Sequence, residues 1–279
     1  MINRATIRIC LFFMALITLT CNSYAQVAIR SGFEYDWWKS NKHDKGVQLY
    51  TPMEAFVTYN NFSARVLTAY VYSEIDQNHD KNRSLSSMVD TKLNLSYMML
   101  NILPVDVLFG LDFNLPTGKT DLDEDELALI MDPDLISIRD YGEGFNINPT
   151  ISISKVWEKF SAGIGVGYLW RGKYDFSKNA KNYDPGDILS LTGEISYSFT
   201  DAWIGRFFTE YAHFTEDELD RNDYFQQGDF LLLGIGIQYV AERWDTAFTV
   251  RGIFRDKDRQ KSNSSKSMLT EDKNSHGDE

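Results

Sequence analysis

The chain has 279 residues, 40 of them acidic against 28 basic, for a formal net charge of −12 with 43% hydrophobic side chains. That acidity excludes nucleic acid as an expected partner, because phosphates would be repelled. The two cysteines, Cys10 and Cys21, both lie at the extreme N-terminus.

The first element is a leader. Arg4 and Arg8 precede an uncharged, mostly apolar run from Ile9 to Thr20, and Ser23-Tyr24-Ala25 supplies small residues before Gln26. This is the pattern of a secretory signal peptide over 1–25. The run is short for a spanning helix, and Thr20 stands where lipoprotein cleavage at Cys21 requires a smaller residue. Removal of Arg4 and Arg8 takes the charge from −12 to −14, and removal of both cysteines leaves no thiol. Disulfides, zinc–thiolate sites and cysteine nucleophiles are then excluded. No later apolar run is long enough to span as a helix, so an exported chain that enters a membrane must do so as a barrel.

Period-two alternation predicts eleven strands, near 27–38, 47–59, 62–74, 91–102, 105–116, 145–157, 160–171, 188–199, 203–214, 229–241 and 244–255. The seventh is the clearest. Phe160, Ala162, Ile164, Val166, Tyr168 and Trp170 share one face, while Ser161, Gly163, Gly165, Gly167 and Arg171 share the other. From Phe160 to Trp170, ~3.3 Å per residue and a tilt of ~40° project to roughly 25 Å, the height of the apolar band of an outer-membrane barrel.

Tight turns at Asn60-Asn61, Leu103-Pro104, Glu158-Lys159, Thr200–Ala202 and Glu242-Arg243 alternate with long polar connections. This is the plan of periplasmic turns and surface loops. Aromatics bracket four of these turns: Tyr59/Phe62, Trp157/Phe160, Phe199/Trp203 and Tyr239/Trp244. They form the expected periplasmic girdle, with Trp37, Tyr70, Tyr72, Phe145 and Trp170 at the opposite interface. A soluble sandwich also alternates, but the leader, the missing thiols and the paired girdles favour an all-β, antiparallel, up-and-down transmembrane barrel over 26–255. Eleven is an odd count for such a barrel. The polar segment 256–279 reads as a surface loop or tail, so a truncated chain from a barrel of 12 or more strands is expected.

Inward parity carries most strand charges: Arg30, Glu34, Asp36, Glu54, Arg65, Lys92, Asp112, Glu194, Arg206, Glu210, Asp245, Arg251 and Arg255. They are expected to line a wet pore of mixed sign. Arg206 and Glu210, four apart on one face, suit a paired ladder. The longest connection, 117–144, holds Asp121 three residues before Glu124, a start signal for a short helix. Its Leu127, Leu129, Ile130 and Met131 require burial. The expectation is a constriction loop formed by Asp121, Leu127, Leu129 and Met131, docked in the lumen on a bare wall of Gly163, Gly165, Gly167, Gly234 and Gly236. Its Asp121, Asp123, Glu124, Asp125, Glu126, Asp132 and Asp134 lack the glycine bend of a helix-loop-helix calcium site and read as a solvated acidic segment.

An enzyme finds little support. Of the histidines His43, His79, His213 and His276, the first two precede aspartates in outward loops with no adjacent orienting partner. His213 is followed by Phe-Thr-Glu, not by the Ser-Asn-Gly of the outer-membrane phospholipase. No catalytic residue, metal or cofactor is assigned.

"GLDFNLPTGKT" (110–120), "GVGYLWRGKY" (165–174) and "YDPGDILSLTGEISYSF" (183–199) resemble outer-membrane transport barrels of the phenol-degradation meta-pathway type and, more distantly, the long-chain fatty-acid transporters. The resemblance covers most of 105–255 and implies passive uptake of small hydrophobic or aromatic solutes. The N-terminal hatch of fatty-acid transporters has no counterpart here, since a strand starts almost at Gln26, so occlusion falls to loop 117–144. The expectation is an outer-membrane channel whose partners are membrane lipid, small solutes and the barrel-assembly machinery. The alternative is a non-conducting barrel whose acidic surface loops bind partners.

Overall fold

The computed structural model describes residues 15–21, 25–39, 45–76, 82–100, 104–130, 138, 140–219 and 221–260. In chain order the first strands are β1 (Ala15–Cys21), β2 (Ala25–Ser31), β3 (Glu34–Lys39), β4 (Lys45–Tyr59), β5 (Phe62–Asp76) and β6 (Arg83–Met88). Next come β7 (Thr91–Met99), β8 (Asp106–Leu115), the one-turn helix α1 (Glu124–Leu127), β9 (Asn146–Trp157) and β10 (Phe160–Arg171). The remainder are β11 (Tyr183–Asp184), β12 (Ile188–Ser198), β13 (Trp203–Phe214), β14 (Asp217–Leu219), β15 (Asn222–Gln226), β16 (Phe230–Val240), β17 (Asp245–Arg255) and β18 (Arg259–Gln260).

One antiparallel sheet dominates, in the order β1-β2-β4-β5-β7-β8-β9-β10-β12-β13-β16-β17, with β3 beside β4 and β6 beside β5. All eleven predicted strands belong to it, the first divided into β2 and β3 around Gly32-Phe33. Neighbours in the sheet follow the order of the chain, as an up-and-down meander requires. The sheet is not closed: among the described strands nothing pairs with the outer edge of β17, which is exposed along its whole length. At the other margin β1, within the expected leader, pairs with β2 from Ala15↔Ser31 to Cys21↔Ala25. Its apolar and threonine-rich sequence suits an edge strand. The tail from 261 onward lies outside the described residues. A second, small sheet, β11-β14-β15-β18, stands beyond the long-loop ends of the main strands.

The two faces of the main sheet differ as the alternation predicts. On β10, Ile164 is 63% exposed and Trp170 45%, while the intervening Gly165 and Gly167 are buried. A soluble sandwich would hide those apolar side chains against a second sheet; here they form an outward belt. Aromatics gather at the tight turns, with Trp157–Phe160 ring centroids 5.5 Å apart, Trp203–Tyr239 4.9 Å and Tyr239–Trp244 5.3 Å. Two of these turns rest on left-handed residues, Asn60 and Glu158. Asparagine tolerates that conformation; glutamate reaches it only because the flanking ladders hold the turn closed.

Candidate solute pathway

The inward face is built by strand parity, and two pairs of its charges bond to each other, Arg65 with Glu54 and Arg206 with Glu194. Arg65 Nε donates to Glu54 Oε1 at 2.5 Å. Arg30 lies over the Phe56 ring, 5.2 Å from its centroid. Asp112 accepts from Asn94 and, at 3.2 Å, from Asn148. Arg206 clasps Glu194 with two bonds, of 2.8 and 3.1 Å. This corrects the expected Arg206–Glu210 ladder: the cross-strand neighbour on β12 gives the guanidinium fork two parallel bonds. Glu210 is left with no partner among the described residues. Glu34 and Asp36 stand on β3, Asp36 almost wholly buried, and Lys92 and Arg251 are exposed inward positions of β7 and β17.

Loop 117–144 folds over the interior side, but not where the glycines predicted. Leu122, Leu129 and Tyr141 bury themselves against Trp38, Val71, Ile75 and Leu85, with Leu127, Ile130 and Ile138 packed around them. Val71, Ile75 and Leu85 are interior-facing positions at the long ends of β5 and β6, paired through Ser73↔Leu85. The β5 end, paired with β4 to that strand's own end, extends past β7 and with β6 offers an apolar seat. The glycine wall offers none. A side chain at Gly165 would meet Ser152 Oγ and Thr192 Oγ1 at 2.7 Å, and one at Gly167 would meet Ser190 Oγ at 2.8 Å. Gly234 lies beneath the Phe208 ring, and Gly236 faces Thr249 Oγ1 at 2.9 Å. The glycines make room for side chains of adjacent strands. Met131 lies outside the described residues.

Two polar side chains that the sequence reading missed fix the loop. Gln48, fully buried, receives the Ile138 N–H on Oε1 and donates Nε2 to the Ile138 carbonyl, both at 2.8 Å, so its amide stands in for a strand backbone. Its Nε2 also reaches Ser73 Oγ at 2.9 Å. Asp90 ties both loop ends together, accepting from Gly118 N at 2.8 Å, Glu143 N at 2.6 Å and Asn114 Nδ2 at 2.6 Å. Polar residues at interior parity beside an apolar run were the available signal. A buried polar side chain must find partners, and only a folded-in loop could supply them.

The helix starts two residues later than predicted. Asp123 is the N-cap, its side chain accepting the Glu126 N–H at 3.1 Å while Glu126 Oε2 accepts the Asp123 N–H at 3.1 Å, a capping box. The backbone bond to Glu126 is the main reason the Asp123 carboxyl is held below its ordinary pKa. Asp121 instead pairs with Lys181 at 2.5 Å. Nor is this segment simply solvated: Asp123 meets Lys178 at 3.4 Å, Asp125 meets Arg83 at 3.2 Å, and Glu126 meets Lys119. Backbone bonds Asp121 N to Asp175 O (2.7 Å) and Lys178 N to Leu122 O (3.0 Å) join it to the 172–187 connection. There Tyr183 donates to Asp217 Oδ2, and burial pushes the Tyr174 and Tyr183 hydroxyls up in pKa.

The result is a half-covered interior. Beneath the returning limb a cavity of about 410 Å³ is lined by Arg65, Leu67, Lys92, Asn94, Asp112, Asn114, Glu143, Asn146, Asn148 and Leu169. Away from the loop, a second space of about 460 Å³ lies along β9, β10, β12 and β13, touching Ser152, Ser154, Gly163, Gly165, Thr192, Glu194, Arg206, Phe208 and Glu210. Among the described residues no group of three or more His, Cys, Asp or Glu is placed to hold a metal ion. His213, on the outward side, pairs with Asp229 at 2.9 Å. His43, His79 and His276 lie outside the described residues.

A family model described as "Putative MetA-pathway of phenol degradation" matches residues 135–264. The solved structure of an outer membrane channel from Pseudomonas putida F1 is similar, with a TM-score of 0.52 at 9% identity, over 86% of this chain and 91% of that one. No curated protein matches the sequence. These two similarities bear out the resemblance read from the strands, although the 110–120 motif falls outside the matched span.

Proposed function

We propose that this chain is an outer-membrane channel for passive passage of small solutes, drawn from the phenol-degradation type of barrel. What carries this reading is the division of one antiparallel sheet into an apolar, aromatic-edged outer face and a polar, charged inner face partly covered by an inward loop. Lipid contact suits the first, and a hydrated passage suits the second. The outer-membrane location follows from the same division together with the expected leader. Hydrophobic or aromatic solutes are the class that the family description suggests.

Full-length protein refolded into planar bilayers tests the reading. Discrete single-channel openings in salt, with measurable flux of a one-ring aromatic solute into liposomes, are the expected result. A stably inserted protein that never conducts would instead support a surface-binding barrel.

A further inference from the structure

We propose that solute travels along the wall made by β9, β10, β12 and β13, past Glu210, and not beneath the loop that covers the opposite wall. The inference rests on the channel reading and adds a route and a preference to it. Two interior spaces compete. The one containing Lys92 lies against the returning limb of the loop: Glu143 is among its lining residues, and the Glu143 N–H is itself tied to Asp90 at 2.6 Å. The one beside Gly163 is lined by none of the described residues of either long connection. Its wall is low along β10, because Gly163 and Gly165 carry no side chain and stand beside Ser154, Ser152 and Thr192, with Glu194 across from Gly163.

Charge gives the preference. Of the ionisable residues lining this space, Glu194 and Arg206 neutralise each other through two hydrogen bonds. Glu210 has no ion-pair or hydrogen-bond partner among the described residues, so the wall presents one uncompensated carboxylate. Serine and threonine hydroxyls and the Phe208 ring make up much of the remainder. Such a surface suits small uncharged solutes carrying hydroxyl groups and one apolar face, tolerates cations, and disfavours carboxylates.

The chain is well suited to a thiol test, since Cys10 and Cys21 are its only cysteines and both can be replaced by serine. A single cysteine at Gly163 fits, because the nearest atoms to an added Cβ, Ile153 O and Ser154 Cβ, are 3.5 Å away. Ser154→Cys, on the same wall, serves as a second site should G163C fold poorly. Modification of either in a conducting bilayer should cut conductance by about half or more, since the reagent fills a constricted passage. A trimethylammonium thiosulfonate should react about tenfold faster than its sulfonate counterpart, the ratio expected from attraction against repulsion by one nearby charge. E210Q should remove most of that ratio. Modification of K92C should leave conductance nearly unchanged.

Block at position 92 with none at 163 or 154 would overturn the route. Equal reaction rates for the two reagents in the unsubstituted background would overturn the preference. A protein with no conductance before any thiol is touched would overturn the channel reading itself, and the route with it.

Discussion

Gly118 and Glu143 show how much of the loop depends on single groups. A Cβ at Gly118 would overlap the Tyr141 carbonyl oxygen and stand 2.6 Å from the Asp90 backbone nitrogen, so the Leu-Pro-Thr-Gly step needs a residue without a side chain. The motif was visible in the sequence; its reason was not, because both obstructing groups come from distant segments. Glu143 is held above its ordinary pKa, first by burial and then by the negative charge of Asp140, against the opposing pull of Lys92 and Arg171. Between the ordinary value of 4.5 and the raised one, the docked loop therefore binds more protons than a released one. Docking is strongest below that window and weakens as pH rises through it. A dye attached at position 125 should report progressive release on raising the pH, and E143Q, neutral throughout, should flatten the curve.

At the scale of elements, the strands were legible and their attachments were not. A strand with lipid on one side and water on the other must alternate, and nothing in the rest of the molecule can override that demand. Strand β6 and the small outer sheet answer to tertiary contacts instead, so their short sequences carry weaker patterns. The helix α1 makes the same point. One turn has too few backbone bonds to persist alone, and its place is set by the capping box at Asp123 and by the seating of Leu129, which is 0% exposed. Leu129→Ala should weaken loop docking by about 2–5 kcal/mol, the usual cost of emptying a buried leucine site. Amide exchange over 122–130 should then accelerate, while exchange across β10 stays as it was. The glycine wall misled because small residues signal close approach without saying what approaches. Here it was serine and threonine hydroxyls of neighbouring strands at Gly165, Gly167 and Gly236, and the Phe208 ring at Gly234.

For the whole molecule, orientation decides everything else. If the 164 face meets lipid, Ile164→Arg near mid-band should cost about 2–4 kcal/mol in bilayer folding titrations. Thr192→Arg, on the watery side, should cost far less. Equal costs would mean that the faces are wrongly assigned. The two long connections form one cap with two kinds of attachment. The side that meets the sheet is oily, centred on Leu122, Leu129 and Tyr141, whereas the side that meets the neighbouring connection includes lysine–carboxylate clasps. Ions weaken such clasps, while oily contacts lose strength on cooling. Brine and cold would therefore loosen different sides of this cap, so the mouth has two independent ways to slacken.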